Sequence, residues 1–239
     1  EKTIFEYEDI KGEALAVPVS NINPYLVDAP DLVLEKRNQP ICIVPTISYG
    51  SMANDDGHLL LDKEQRNALI AAEPATAPYI RRYMGAQEFL NNAERWCLWL
   101  KDISPSLMRS SNELRHRIEA VRKFRASSNR EATRNLAATP SLFGEDRQPL
   151  KSYLLLPKVS SENRPYMPIG FMPSEVIANG SALTISDSGH YEMGVLQSKM
   201  HMAWMRAVAG RMKSDYQYSA QIVYNNFPWP DLPEKLEPN

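Results

Sequence analysis

Between residues 216 and 224 the side chains alternate with period two. Tyr216, Tyr218, Ala220, Ile222 and Tyr224 fall to one side, and Gln217, Ser219 and Gln221 to the other. Such alternation predicts a half-buried strand, whose apolar side must find a core. Extending the strand back to Lys213 puts Lys213, Asp215 and Gln217 in a row on the polar side, same-face neighbours standing roughly 6.6 Å apart. A donor, an acceptor and a two-way amide at that step suit the edges of base pairs. Lysine can donate to guanine O6 and N7, aspartate can accept from cytosine N4, and glutamine can pair with an adenine edge. The plainer reading is an edge strand with a solvated charge pair, and spacing alone favours it.

A chain of 239 residues can bury a substantial core as one large domain or two small ones. Its 43% hydrophobic and 23% charged content belong to ordinary globular proteins. No apolar run is long enough to span a bilayer, and no charged-then-apolar leader opens the chain. Cys42 and Cys97 sit in apolar runs outside any motif and read as thiols of a reducing compartment, which places the chain in the cytoplasm. The chain opens at Glu1 rather than methionine, as a piece of a longer protein would. A net charge of −2 is low for a nucleic-acid binder. Charge is uneven, however: Arg109, Arg115, Arg117, Arg122, Lys123, Arg125, Arg130 and Arg134 stand against Glu113, Glu119 and Glu131. A local surplus can neutralise phosphates, or simply solvate a helix face.

Prolines at 18, 24 and 30 break residues 1–30 into a connector with a short apolar turn at 25–27. Residues 32–34 and 41–47 read as strands, 50–58 as a loop and 59–61 as a short strand. Asp62 can cap a helix from Lys63 to about Ala72, ended by Pro74 and Pro78. Residues 79–92 read as helical pieces, and 95–101 as a central strand, apolar on both faces. Ser104 and Pro105 start a long helix with Leu107, Leu114, Ile118, Val121 and Phe124 on its buried stripe. Residues 140–149 form a loop and a candidate subdomain boundary. Strands follow at 153–156 and 169–172, then a turn at Gly180 between 176–179 and 182–185. A helix opens at Gly194 with the stripe Leu196, Met200, Ala203, Trp204, Ala207 and Val208. Irregular interleaving of strands and helices predicts an α+β fold, a mixed or antiparallel sheet flanked by long helices.

Catalytic chemistry is hard to place. Asn23-Pro24-Tyr25 is one proline short of the Asn-Pro-Pro-Tyr loop of amino-methyltransferases, and no two glycines stand as Gly-x-Gly to cradle a cofactor. Adjacent Glu35 and Lys36 would point to opposite faces of a strand and cannot share a metal. Asp55, Asp56 and His58 lie in a turn-forming loop. His201, near an apolar stripe, reads as a structural residue. No catalytic residue, metal site or cofactor is expected in this piece.

Several blocks resemble the target-recognition region of the MmeI-like, type IIL restriction–modification enzymes, which fuse a nuclease to an adenine methyltransferase. They include Asn21-Ile22-Asn23-Pro24-Tyr25-Leu26, Gly50-Ser51-Met52, Tyr79-Ile80-Arg81-Arg82 and Arg95-Trp96-Cys97-Leu98-Trp99-Leu100. Pro168-Ile169-Gly170-Phe171, Met200-His201-Met202-Ala203-Trp204-Met205-Arg206, Gly210-Arg211-Met212-Lys213-Ser214-Asp215-Tyr216 and Asn225-Asn226-Phe227-Pro228-Trp229-Pro230 follow in family order.

The resemblance implies that 31–230 is a target-recognition domain for double-stranded DNA, with a connector at 1–30 and a tail at 231–239. S-adenosyl methionine, Mg and the methyltransferase and nuclease domains would belong to missing parts of the parent. Positions matching Lys213 and Asp215 act together on one base pair, a combination that resembles a guanine reader. Gln217 and Ser181 match positions implicated in a second pair. Arg81, Arg82, Arg115, Arg122, Arg164 and Arg211 are expected, on charge, to meet phosphates and set register. The rival is a protein–protein specificity scaffold that docks a catalytic subunit and reads little DNA.

Overall fold

Every residue of Tyr-Leu-Leu-Leu-Pro, the Tyr153–Pro157 strand, is buried, the pattern of a strand covered on both faces. In the computed structural model, which describes residues 2–9 and 11–231, this strand lies inside a four-stranded antiparallel sheet. The strand order is Ile47–Tyr49, Ala182–Ser186, Tyr153–Pro157 and Gly170–Met172. Leu154 and Leu156 face the larger core, with Leu183, Ile185 and the helix Lys199–Val208. Tyr153 and Leu155 face a smaller cluster with Met84, Ala178 and Ala182. That cluster joins the first sheet to a second, ordered Ile177–Ala178, Ile80–Met84, Trp96–Leu98 and Leu60–Leu61. The first pair there is parallel and the others antiparallel. The helices Lys63–Ala72 and Asn112–Ala126 close the second core over Leu69, Leu114, Ile118 and Val121. The fold is α+β, as the interleaving predicts.

Local signals are borne out where the chain needs nothing distant. Asp62 caps Lys63–Ala72 by accepting from the Gln65 N–H, and Gln65 answers with a bond to the Asp62 N–H, the reciprocal pattern of a capping box. The turn at Gly180 separates two strands as expected, but they join different sheets.

Other expectations are corrected. Residues 80–84 are a strand, not helix, because their partners Cys97 and Leu98 lie beyond any local pattern. The connector at 1–30 contains an antiparallel hairpin, Lys2–Glu6 with Leu15–Val19. Neither 32–34 nor 41–46 is a strand. Their neighbourhood is tied down instead by Asn225 and Asn226. Asn225 Nδ2 donates to the Arg37 carbonyl (2.7 Å), Asn226 Nδ2 donates to the Glu35 carbonyl (3.1 Å), and the Asn225 carbonyl accepts from Ile41 N–H (2.9 Å).

The long helix from Ser104 is two, Pro105–Ser110 and Asn112–Ala126, separated at Ser111, whose hydroxyl caps the second. Phe124 is exposed, and Arg125 takes the buried position after Val121. The helix expected from Gly194 is likewise two, His190–Leu196 and Lys199–Val208. Its buried face is His201, Met202, Met205 and Val208, while Met200 and Ala203 face outward. Asp231 is exposed, and the rest of the expected tail lies outside the described residues.

Candidate nucleic-acid interface

The alternation over 216–224 holds for two residue pairs and then stops. Gly210–Met212 and Asp215–Gln217 form a tight antiparallel hairpin, Met212 opposite Asp215 and Gly210 opposite Gln217. Its outer strand continues the sheet through Val159–Ser160. At Ser219 the chain leaves the strand, and Ala220–Tyr224 form a single π-helical turn. The Ser219 hydroxyl caps it by accepting from Ile222 N–H at 3.3 Å, and the Asn225 N–H reaches back to the Ala220 carbonyl at 2.9 Å. Ser219 before an apolar run is itself a capping signal, so the turn was legible beside the alternation that masked it.

Lys213 is not in a strand, which corrects the three-in-a-row arrangement. It sits at the hairpin tip with φ of 57°, a left-handed conformation that costs a residue bearing a Cβ about 1 kcal/mol or more. Asp215 and Gln217 do share a face, half-buried and exposed respectively, while Tyr216 between them is buried. Lys213 and Gln217 therefore present free polar ends, with Asp215 beside them. Lys213 takes part in no salt bridge among the described residues.

Behind the hairpin, the Arg211 guanidinium lies 3.9 Å from the Tyr216 ring centre, donates to the Ser214 carbonyl at 2.8 Å and stands 3.8 Å from Glu162. Arg164 follows in the turn closed by its N–H to the Ser161 carbonyl.

Ser181 reaches the same region through one residue. Lys158, where the chain passes from the Tyr153–Pro157 strand to the Val159–Ser160 strand, donates its N–H to the Ser181 carbonyl at 3.1 Å. The Lys158 carbonyl accepts from Tyr218 N–H at 2.7 Å. The Ser181 hydroxyl is already committed: it donates to Asn179 Oδ1 at 2.6 Å and accepts from Ala86 N–H at 2.9 Å. Only an acceptor lone pair remains to offer a ligand. Asn179 is seated by glycine, since a Cβ at Gly85 would lie 2.1 Å from its side-chain nitrogen and one at Gly50 would lie 2.2 Å from its carbonyl.

Two residues passed over in the sequence complete the surface. Lys158 Nζ lies 4.4 Å from the ring centre of half-exposed Tyr49, and Arg147 approaches the same ring at 5.9 Å. Burial, and then the charge of Arg147, push the Lys158 ammonium below the ordinary lysine range. With Lys36 and Gln217 they line a groove of about 390 Å³. No spacing rule marks either residue, because their meeting depends on two strands paired across the sheet.

The remaining arginines do not converge here. Arg81 and Arg82 are successive residues of one strand and point to opposite faces. Arg81 lines a separate groove with Trp99 and Lys101. Arg115 and Arg122 are exposed on Asn112–Ala126, which packs on the other core, and Arg122 lies 3.5 Å from Glu119. Arg125 must be removed from the basic surplus. It is fully buried and donates to the carbonyls of Ala53, Asn54, Leu136, Thr139 and Leu142.

Asp55, considered for a metal, is buried and caps its own loop at Leu59 N–H. Among the described residues no cluster of three His, Cys, Asp or Glu side chains is suited to a metal, and no helix is long and apolar enough to cross a membrane. Asn23, the residue of the near-miss methyltransferase loop, spends its side-chain carbonyl on the N–H groups of Tyr25 and Val27.

A grooved α+β body with a polar-tipped hairpin and an adjoining cationic groove is the build of a recognition module. The family model described as "MmeI, target recognition domain" matches residues 28–231, and the chain belongs to that family. DNA methyltransferase A of Bacillus subtilis (strain 168) is 38% identical over 214 residues, covering 90% of this chain and 24% of that protein. The solved structure of the type IIL restriction–modification enzyme MmeI in complex with DNA is 45% identical with a TM-score of 0.92. It matches 98% of this chain and 31% of its own. The chain thus spans between a quarter and a third of these relatives.

Proposed function

We propose that this chain is the sequence-specific DNA-recognition domain of a restriction–modification enzyme that methylates adenine at N6. The observation that carries the reading is the hairpin: Tyr216 is buried beneath it while Asp215, Gln217 and Lys213 stand outward or at its tip. The major groove is about 12 Å wide and admits a two-stranded ribbon. Lys213 at the tip donates to guanine O6 and N7 while Asp215 accepts from the paired cytosine N4. Gln217 and the remaining lone pair of Ser181 act on a second base pair. Lys158 and Tyr49 line the approach, and Arg164 is close enough to the hairpin to meet the same phosphate backbone. The parent's other domains would bind S-adenosyl methionine and Mg, flip the adenine and carry out the chemistry, in the cytoplasm where the chromosome is.

The test is to exchange the pair. Lys213→Glu with Asp215→Arg, placed in the intact enzyme, moves the methylated sequence at one position from G to another base, as read by mapping modified sites in cellular DNA. Unchanged sites at retained activity would remove the base-reading assignment.

The scaffold reading keeps one supporting observation. Leu26, Val33 and Ile43 are 73%, 67% and 106% exposed, more apolar surface than one short segment usually leaves in water. We assign this segment to contact with the parent's catalytic domains, which lets one chain both dock and read DNA.

A further inference from the structure

The Lys213 φ of 57° poses a problem for a residue that must hold a donor in place. A left-handed lysine at a two-residue turn relaxes unless its surroundings over-determine it, and glycine is the residue such a turn ordinarily uses. The surroundings here reduce to one side chain. Arg211 stacks on Tyr216, which is 5% exposed, so the lower face of the guanidinium rests on a fixed support. From there it donates to the carbonyl of Ser214, the residue after Lys213, at 2.8 Å. Its charge is met by Glu162 at 3.8 Å, in the turn that follows the neighbouring strand. Both attachments lie behind the hairpin, and Tyr216 separates them from the face carrying Asp215 and Gln217.

A phosphate contact needs an arginine with spare donors and a clear path. Arg211 instead has its face on a ring, one nitrogen on a backbone carbonyl and a carboxylate beside it. We infer that Arg211 is a positioning residue for base reading: it braces the Lys213–Ser214 turn from behind and is itself aimed by Glu162. The inference rests on the recognition role proposed above and replaces the phosphate role expected for Arg211 from charge alone.

Two substitutions in the intact enzyme separate the alternatives, because they predict opposite signs. Arg211→Lys keeps the charge and loses the planar stack and fork. Glu162→Gln keeps the shape and loses the counter-charge at a surface site, so the fold persists. The readout is binding to the cognate duplex and to a duplex changed at the G·C pair read by Lys213 and Asp215, across a series of salt concentrations.

If Arg211 is a brace, both variants lower the preference for the cognate duplex, Arg211→Lys by about tenfold, and the salt dependence of binding is unchanged. If Arg211 meets phosphate, Glu162→Gln frees it and tightens binding to both duplexes, which overturns the inference. Unchanged discrimination in both variants overturns it equally. The Lys213→Glu, Asp215→Arg exchange is run alongside. Should that exchange alter the methylated sequence while Arg211→Lys does nothing, the brace fails and base reading stands. Should neither have an effect, base reading itself fails.

Discussion

His201 carries the clearest pH consequence at the scale of one residue. It is fully buried on the Lys199–Val208 helix, its Nε2 sits 3.0 Å from the Tyr218 hydroxyl, and its ring meets the edge of Phe227 at 4.5 Å. Burial alone pulls its pKa from 6.5 to about 4. The native state holds the ring neutral while the unfolded chain protonates it first, so this contribution to stability is whole above pH 6.5 and is lost as pH falls toward 4. The full loss is about 3 kcal/mol, at roughly 1.4 kcal/mol per unit. Urea unfolding at pH 7 and at pH 4.5 should show His201→Gln losing less stability between the two than the parent chain does. Equal losses would place the acid sensitivity elsewhere. The sequence marked His201 as structural from its place near an apolar stripe. It did not mark Tyr218 as the partner, because the two meet only once the hairpin folds back over the helix.

At the scale of the element, the Asn112–Ala126 helix shows what charge patterns conceal. Arg125 follows a run of exposed basic residues and looks like one of them, but helical periodicity carries it onto the buried side with Val121. There it gathers five carbonyls from loops at 53–54 and 136–142. Arg125→Met fills the space and leaves those acceptors without a donor, so unfolding free energy should fall by about 3 kcal/mol or more. A loss within a few tenths of a kcal/mol in denaturant titration would contradict this role. Elements whose determinants are local, such as the Asp62-capped helix, were legible in the sequence. The Ile80–Met84 strand was not, since its hydrogen bonds go to residues 96–98 and no window along 79–92 contains them. The candidate site divides the same way: Asp215 and Gln217 follow from period two, Lys213 from its motif, but Lys158 and Tyr49 need the sheet.

Across the whole molecule, the hairpin belongs to one core and the arginine-bearing helix to another. If Arg115 and Arg122 meet phosphate, they do so at a distance from the bases that Lys213 and Asp215 touch. Arg115→Ala with Arg122→Ala should weaken binding to every duplex alike and lower the salt slope by about 0.9 for each phosphate no longer neutralised. Weakening confined to one target sequence would show that the helix reads bases or reshapes the hairpin. The two cores meet through the small cluster at Met84, Tyr153 and Leu155.

The pleat of Asp215–Gln217 sends Tyr216 into the core and its two neighbours outward. A mutation at 215 or 217 can therefore rewrite what is recognised while leaving untouched what holds the ribbon in place. A lineage built on this hairpin can wander among target sequences by single substitutions, each intermediate still folded, with no repair of the interior along the way.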